Sequence, residues 1–477
     1  MIKHPKDEFG LAWLVAWREL RDQLRDWRII FPMVALTLLL PFLADLGAQA
    51  AINFTTQYGT PLIADRLVPF LLMVVGYFPI TVSLVIALES FVGEKERGTI
   101  EPLLSSPLKD WQLFMGKLLA GTIAPLFTAY LGITVYMIGL YFRHIPFPDA
   151  NRMAETLVLT AVQAFLMVTG AILISTQATS VRASNLMASF IVIPMALLIQ
   201  GESVMLFWGN DMGLWLVVGG VCVMMVLLAR VGVAHFQREA LLGREIDVLN
   251  IRWIFRTFWL SFKGKAGSIP TWFSQEVWGT LKKQAVSIWL TVGLGILSAI
   301  GGYIWVALNT TRVLHAYQAG SMSGLLNAGT GVPVADLVIS FPVIWGHNLR
   351  AIAIILLLGL FSFGVLGVFV FLVNTTVIGV VLALEAALGV SPLKLAVFGI
   401  LPHGIFEIPA LILSSAAVLY IGIALVTPRS QLTLGEVLID AVADWAKVAV
   451  GLVLPLLTIA AVLETWVTPV LLHSMMK

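Results

Sequence analysis

Uninterrupted apolar runs of roughly 18 residues or more recur along this chain. A helix of that length crosses a hydrocarbon core of about 30 Å. Inside lipid every backbone polar group needs a partner, so only helices and closed barrels span it. The runs are continuous rather than alternating, which favours helices. Only 12% of the residues are charged, against about 25% in soluble domains. These features predict an all-α, polytopic integral membrane bundle of about 10–11 transmembrane helices.

Positive charge is concentrated near the middle of the sequence. Nine of the 29 Lys and Arg residues lie between Arg230 and Lys283, together with four acids. Such a bias is typical of the cytoplasmic side, so residues 235–283 are predicted to be a basic cytoplasmic linker. Residues 251–262 have helical spacing and should lie on the inner membrane surface, in contact with anionic lipid. A net charge of +2 and a tether to the bilayer argue against a nucleic-acid partner.

The first half begins with an amphipathic stretch, residues 1–28, which we expect to form a cytoplasmic interfacial helix with tryptophan anchors. Residues 29–234 then form a predicted six-span domain. Its apolar runs are 29–46, 67–88, 118–142, 157–176, 186–199 and 214–233. The fifth run is short, and Gln200-Gly201-Glu202 after it suggests a re-entrant or interfacial turn on the outer side. Glu202 and Arg230 are accordingly expected at the membrane interface.

The second half, residues 284–477, is predicted to be a separate transmembrane domain. Its apolar runs are 285–308, 352–373, 377–388, 397–426 and 448–472, and a polar segment at 309–344 should be external. The run at 377–388 is too short to cross comfortably, so it either spans or re-enters. The number of spans therefore does not determine on which side of the membrane the C-terminus lies.

A dense charge cluster separates the second and third apolar runs. Gly98 suits a turn, Thr99 can cap a short helix, and Glu101 in its first turn is favoured by the helix dipole. Leu103 and Leu104 supply aliphatic anchors. The pattern predicts a short helix on the cytoplasmic membrane face that docks into a groove of a soluble partner. The alternative is a solvated loop.

At these residues the sequence resembles the ABC-2-type family of ABC exporter permeases, over roughly residues 10–235. The family pattern joins an acidic-basic-acidic cluster, Gly-Thr-aliphatic-Glu, Leu-Leu, Ser-Pro and a Gly-Lys pair. The matching residues are Glu94, Lys95, Glu96, Gly98, Thr99, Ile100, Glu101, Leu103, Leu104, Ser106, Pro107, Gly116 and Lys117. The resemblance implies that this segment is the coupling helix, which receives force from an ATPase subunit. It also implies a second cytoplasmic contact at 180–184, around Arg182.

The chain contains no Gly-x-x-x-x-Gly-Lys-Ser/Thr phosphate loop. We therefore predict a transport subunit rather than an enzyme, with no cofactor on this chain and with ATP and magnesium on a partner ABC ATPase. The resemblance further implies a homodimer or paired permease. It places the protein in the cell (plasma) membrane with a cytoplasmic N-terminus.

Polar residues inside the second half form a different pattern. His347-Asn348 precedes one run, Asn374 opens another, Pro402-His403-Gly404-Ile405-Phe406-Glu407-Ile408-Pro409 begins a third, and Glu464 lies in the last. This resembles the stage II sporulation protein M family, over roughly residues 280–472. One departure is Thr375, where that family usually has glycine. The resemblance implies membrane insertion and, in some members, a link to envelope remodelling, but no established chemistry.

His403 and Glu407 are four residues apart and share one helical face. Ionisable groups at membrane depth usually point into the bundle. Three interpretations stay open: a structural polar cluster, the lining of a substrate or proton path, and an intramembrane metal site or hydrolase. The predicted cluster comprises His347, Asn374, His403, Glu407 and Glu464, with Glu385 as a further candidate. Zinc requires another ligand and the order is not His-Glu-x-x-His, so no metal is predicted.

Two functions are therefore compared. The first is the membrane-spanning permease of an ABC-type exporter, driven through residues 94–107. The alternative is a non-transporting membrane scaffold for cell-envelope remodelling. The sequence indicates no transported substrate.

Overall fold

The computed structural model describes residues 5–58, 61–101, 105–178, 180–208, 211–236, 251–318, 340–427 and 434–476. Within these ranges every element is a helix, and three short segments are π-helical. Ten of the described helices are long and apolar enough to cross a membrane, as predicted. The chain is a polytopic, all-α membrane protein. It divides into two compact units, Met1–Leu249 and Asn250–Lys477.

The first unit contains eight described helices, five of which are long enough and apolar enough to span. They are α1 Pro5–Gln23, α2 Trp27–Tyr58, α3 Pro61–Glu96, α4 Asp110–Phe142, α5 Ala150–Gln177, α6 Val181–Met187, α7 Ser189–Trp208 and α8 Asp211–His235. Lys109 precedes α4, and its N–H donates to Gln112 Oε1 at 2.9 Å. That bond satisfies one backbone group at the start of the helix.

Three aromatic rings fill the core at one end of this unit. Phe91 of α3 and Phe114 of α4 are fully buried. Their ring centroids lie 5.1 Å and 6.1 Å from that of Phe236, which directly follows α8. Lipid tails are as apolar as these side chains, so close van der Waals packing rather than water exclusion holds such helices together.

Gly116 allows α1 to approach α4 closely. A methyl group at this position would lie 2.6 Å from Val15 Cβ and 2.9 Å from the Ala12 carbonyl oxygen. Glycine at the interface therefore lets the two backbones meet.

The predicted outer turn after residue 199 is wrong. Helix α7 runs without interruption from Ser189 to Trp208. Glu202 is 1% exposed and accepts a hydrogen bond from Gln163 Nε2 of α5, so its side chain packs against a neighbouring helix. Because the buried carboxylate has a partner, the polar tripeptide stays inside the helix. Arg230 is exposed near the end of α8.

The second unit contains twelve described helices and three π-helical segments. The α-helices are α9 Ile251–Lys263, α10 Ile269–Thr271, α11 Trp278–Lys283, α12 Ala285–Leu308, α13 Thr310–Gln318, α14 Phe341–Phe361, α15 Val365–Ala387, α16 Pro392–Leu395, α17 Leu401–Val426, α18 Leu434–Val448, α19 Leu454–Trp466 and α20 Thr468–Met476. The π-helical segments are Trp272–Val277, Ala396–Ile400 and Ala449–Val453. The latter two join α16 to α17 and α18 to α19, so each pair forms one long apolar helix.

A tight turn between α14 and α15 overturns the predicted span at 352–373. Phe363 and Gly364 have positive φ angles of 52° and 88°, and Ser362 Oγ accepts a hydrogen bond from Leu366 N at 2.8 Å. The run at 377–388 is therefore not a separate or re-entrant segment, because residues 377–387 continue helix α15. Hydropathy stays high across the turn, since two phenylalanines flank its serine.

The last candidate span begins at Gly435 instead of residue 448, and two charged residues in its first part, Asp444 and Lys447, are paired. Asp444 is 1% exposed and lies 3.1 Å from Lys283 Nζ and 3.0 Å from Lys447 Nζ. Thr280 donates to it at 3.2 Å, and Lys447 also pairs with Glu276 at 3.1 Å. Partial burial tends to lower the pKa of Lys283, but the Asp444 carboxylate raises it, and the net change is upward.

Candidate functional site

The predicted charge cluster forms the last turns of α3. Glu94, Lys95 and Glu96 continue the helix beyond its apolar part. Gly98 then adopts a positive φ of 67° and donates its N–H to the Lys95 carbonyl at 3.1 Å, while Thr99 N donates to the Glu94 carbonyl at 3.0 Å. A left-handed glycine that closes a helix in this way is a common C-terminal cap.

A buried lysine ties this cluster to two other helices. Lys117 of α4 is 2% exposed. Its ammonium lies 3.0 Å from Glu94 Oε1 of α3 and 3.4 Å from Glu19 Oε1 of α1, and it donates to the Ser90 carbonyl at 2.7 Å. One cation is thus shared by two carboxylates on separate helices. The arrangement fixes the end of α3 relative to α1 and α4.

Two residues of this charge cluster also form hydrogen bonds beside or within the predicted second contact region at 180–184. Lys95 Nζ donates to the carbonyls of Thr176 at 3.2 Å and Ala178 at 3.0 Å, at the end of α5. Glu96 Oε1 accepts a hydrogen bond from Val181 N at 2.8 Å, at the start of α6. A cation at a helix C-terminus and an anion at the next N-terminus both suit the helix dipoles.

The segment that follows presents a polar surface on an apolar anchor. Ile100 is 4% exposed and packs in the core around Phe91. Thr99, Glu101 and Pro107 are exposed, as is Arg182 on α6. The two predicted aliphatic anchors, Leu103 and Leu104, lie outside the described residues. We call residues 94–101, which comprise the last turn of α3 and the turn at Gly98, the charged loop.

Sequence analysis did not identify the residues that brace the charged loop. Lys117 was noted only as part of a motif, although a cation inside an apolar helix is itself a signal. Glu19 is one of several charges on α1 and carries no distinguishing signal. Ser175 Oγ accepts hydrogen bonds from Phe91 N and Val92 N at 3.0 Å and 3.1 Å, and a serine inside a span gives no such indication.

The second unit contains a cavity of about 410 Å³ that most of the predicted polar cluster lines. His403 and Glu407 reach it from α17, and Glu464 reaches it from α19. One ligand-type atom from each of these three side chains lies within 4.8 Å of the other two. Asn374 of α15 also lines the cavity, and its Nδ2 donates to the Val370 carbonyl at 2.9 Å.

Two of the candidates lie elsewhere. His347 on α14 and Glu385 on α15 are not among the residues that line this cavity. Thr468, which sequence analysis did not assign to the cluster, brings Oγ1 to 3.2 Å from His403 Nδ1. The structure therefore brings together four of the five predicted residues and adds a threonine that orients the imidazole.

Two families match separate parts of the chain. Residues 13–207 match the family described as ABC-2 family transporter protein. Residues 286–469 match the family described as Stage II sporulation protein M. Both matches agree with the resemblances seen at the charge cluster and at the Pro-His-Gly-x-x-Glu-x-Pro stretch.

One curated relative is similar over a shorter region. It is described as "Probable ABC transporter permease protein NosY" from Pseudomonas aeruginosa and is 34% identical over 111 residues. The match covers 23% of this chain and 38% of the relative's length. The chain therefore joins a segment that is similar to the ABC-2 family transporter proteins to a segment that is similar to Stage II sporulation protein M.

Proposed function

We propose that this protein is the membrane-spanning permease subunit of an ABC-type exporter, and that a separate ABC ATPase docks at the charged loop. ATP and magnesium bind the ATPase chain, and two permease copies, or two paired permeases, form the pathway. In this arrangement the charged loop and the N-terminus are cytoplasmic in the plasma membrane. The ABC-2 match over residues 13–207 and the curated permease relative support the transport assignment.

The bracing of the charged loop carries the coupling part of the proposal. If the loop made no contacts with other helices, a force applied by the ATPase would move the loop alone. Here Lys117 ties the loop to α1 and α4, and Lys95 and Glu96 tie it to the turn between α5 and α6. Displacement of the loop is therefore passed to helices α1, α4, α5 and α6, as a two-state transport cycle requires.

Helix α9 supports the lipid contact in this proposal. Ile251, Phe255 and Trp259 recur every fourth residue and are 65%, 69% and 59% exposed. Arg252 and Arg256 lie beside this stripe and are also exposed. A short helix with an exposed aromatic stripe and flanking cations suits the surface of an anionic bilayer.

Site-directed cross-linking tests the docking site. In a Cys222→Ser background, Glu101→Cys and Arg182→Cys are each co-expressed with a candidate ABC ATPase from the same genome and treated with a short bifunctional thiol reagent. We expect both to form a product that contains the ATPase chain, identified by mass spectrometry. Phe147→Cys is the matched control, because Phe147 is 51% exposed beyond the opposite end of α4. Equal cross-linking at Phe147, or none at Glu101 and Arg182, would contradict the docking assignment.

A second experiment tests coupling. Glu101→Ala leaves the core untouched, since this side chain is exposed. We expect the variant to insert normally and to lose stimulation of the ATPase by the permease in reconstituted vesicles. Wild-type stimulation in both Glu101→Ala and Glu96→Ala would contradict coupling through this loop.

The match of residues 286–469 favours one alternative, a non-transporting scaffold for envelope remodelling. Purification of the full chain from its own membranes distinguishes the two functions. A stoichiometric ATPase supports the exporter, whereas envelope hydrolases without an ATPase would support the scaffold.

A further inference from the structure

We propose that His403, Glu407 and Glu464 bind one divalent first-row transition-metal ion in the second unit. Their ligand-type atoms already lie within 4.8 Å of one another. A tetrahedral site with bonds of about 2.0–2.2 Å holds its ligand atoms about 3.4 Å apart, so the most widely separated pair has to approach by about 1.4 Å at most. Small rotamer changes are therefore enough to close the three groups on a common ion.

The helices present these ligands from two sides. His403 and Glu407 are four residues apart on α17 and share one face. Glu464 faces them from α19. Two ligands from one face of a helix, completed by a carboxylate from a facing helix, are a recurring way to build metal sites inside bundles.

Thr468 selects the metal-binding nitrogen of the histidine. Its Oγ1 lies 3.2 Å from His403 Nδ1, and Thr468 is only 5% exposed. When Nδ1–H donates to this oxygen, Nε2 is unprotonated and is the nitrogen available to an ion. A hydrogen bond to the other ring nitrogen is the usual outer-shell support of a metal-bound histidine.

Charge favours a divalent occupant. Glu407 and Glu464 place two carboxylates in one cavity at membrane depth, and among its described lining residues there is no lysine or arginine. Charges at this depth require compensation. A divalent cation neutralises both carboxylates at once, and the cavity of about 410 Å³ has room for water ligands to complete the coordination.

The donor set indicates which ions fit. One imidazole with two carboxylates suits zinc, iron and their first-row neighbours, whereas magnesium and calcium prefer oxygen donors alone. Co²⁺ is the appropriate probe, because its visible absorption reports coordination directly and Zn²⁺ should displace it.

The experiment uses the full-length chain without a polyhistidine tag, purified in detergent and stripped with a chelator. We expect one equivalent of Co²⁺ per chain with visible d–d absorption that Zn²⁺ abolishes. The signal should persist in Cys222→Ser, since that thiol belongs to the first unit. X-ray absorption of the zinc-loaded wild type should show nitrogen and oxygen neighbours at about 2.0–2.2 Å, and a sulfur neighbour would overturn the assignment.

Variants locate the ion. His403→Gln, Glu407→Gln and Glu464→Gln should each lose stoichiometric Co²⁺ binding, and Thr468→Val should weaken it by about 10- to 100-fold. Glu385→Gln and His473→Gln are matched controls outside the cluster and should bind as wild type does. Undiminished binding in the three ligand variants would overturn the proposal. So would the absence of stoichiometric binding by the wild type, which would mean that the cluster holds only protons.

Discussion

Glu96, on the last turn of α3, accepts a hydrogen bond from the backbone N–H of Val181 at 2.8 Å. The two residues are far apart in sequence, and each belongs to a segment that the ABC-2 resemblance marks as a contact for the ATPase. Their bond joins the two predicted contact regions. A displacement of the end of α3 is therefore transmitted to the start of α6, and the reverse also holds.

Removing this bond should loosen α6. Glu96→Ala deprives the first N–H of a short helix of its acceptor, a loss of about 1 kcal/mol for a typical N-cap. We expect amide exchange across 181–187 to be roughly five-fold faster, measured by hydrogen–deuterium exchange of the full chain in nanodiscs. Glu96→Gln keeps an acceptor oxygen and Arg97→Ala alters an exposed neighbour, so both should exchange as wild type does. Equal exchange in Glu96→Ala would show that the bond does not order α6.

Lys117→Met should destabilise the first unit. The substitution keeps the volume but leaves Glu19 and Glu94 without their shared cation, and breaking a buried ion pair costs about 3–5 kcal/mol. Since the two carboxylates are 18% and 17% exposed, we expect the lower end of that range. Thermal unfolding of the purified chain measures the effect. Adding Glu19→Gln and Glu94→Gln should recover part of the loss, and no recovery would argue against an electrostatic cause.

Gly116→Ala should separate α1 from α4. The new methyl group would meet Val15 at 2.6 Å, and overpacking of this kind costs about 1–3 kcal/mol. We expect a lower melting temperature and faster proteolysis within α1. Gly10→Ala is the matched control, because a Cβ there meets nothing within 4 Å, and it should be neutral or stabilising by about 0.5–1 kcal/mol. Similar behaviour of the two variants would contradict the close approach.

The turn between α14 and α15 predicts a difference between two glycines. Gly364 and Gly389 have φ angles of 88° and 89°, so alanine at either costs about 1–2 kcal/mol. At Gly364 the added Cβ would also lie 2.8 Å from Leu419 Cα, whereas at Gly389 it meets nothing within 4 Å. Gly364→Ala should therefore lower the melting temperature more than Gly389→Ala. A larger decrease in melting temperature for Gly389→Ala would contradict the close packing of the turn at Gly364.

Asp444 and Lys447 should be energetically coupled. Each is nearly buried, and they lie 3.0 Å apart. We expect Asp444→Asn and Lys447→Met each to destabilise the second unit, and the double variant to lose less than the sum by about 0.5–3 kcal/mol. Thermal unfolding of the four proteins in the cycle measures the coupling. Strict additivity would indicate that Lys447 is neutralised by Glu276 alone.

The sequence by itself determined the class of fold and the location of the charged loop. Apolar run length follows directly from the thickness of a bilayer, so the helical membrane character needs no tertiary information. Glycine at position 98 likewise indicated a turn that the structure has, because left-handed backbone favours that residue.

Only the tertiary structure decided which polar residues break a helix and which are held inside one. Hydropathy sums neighbours along the chain, so flanking phenylalanines hid the turn at Ser362–Gly364, and the polar residues 200–202 were mistaken for a break in helix α7. Glu202 is held by Gln163 on another helix, just as Lys117 is shared by Glu19 and Glu94. Such pairings join residues distant in sequence, and no local pattern encodes them.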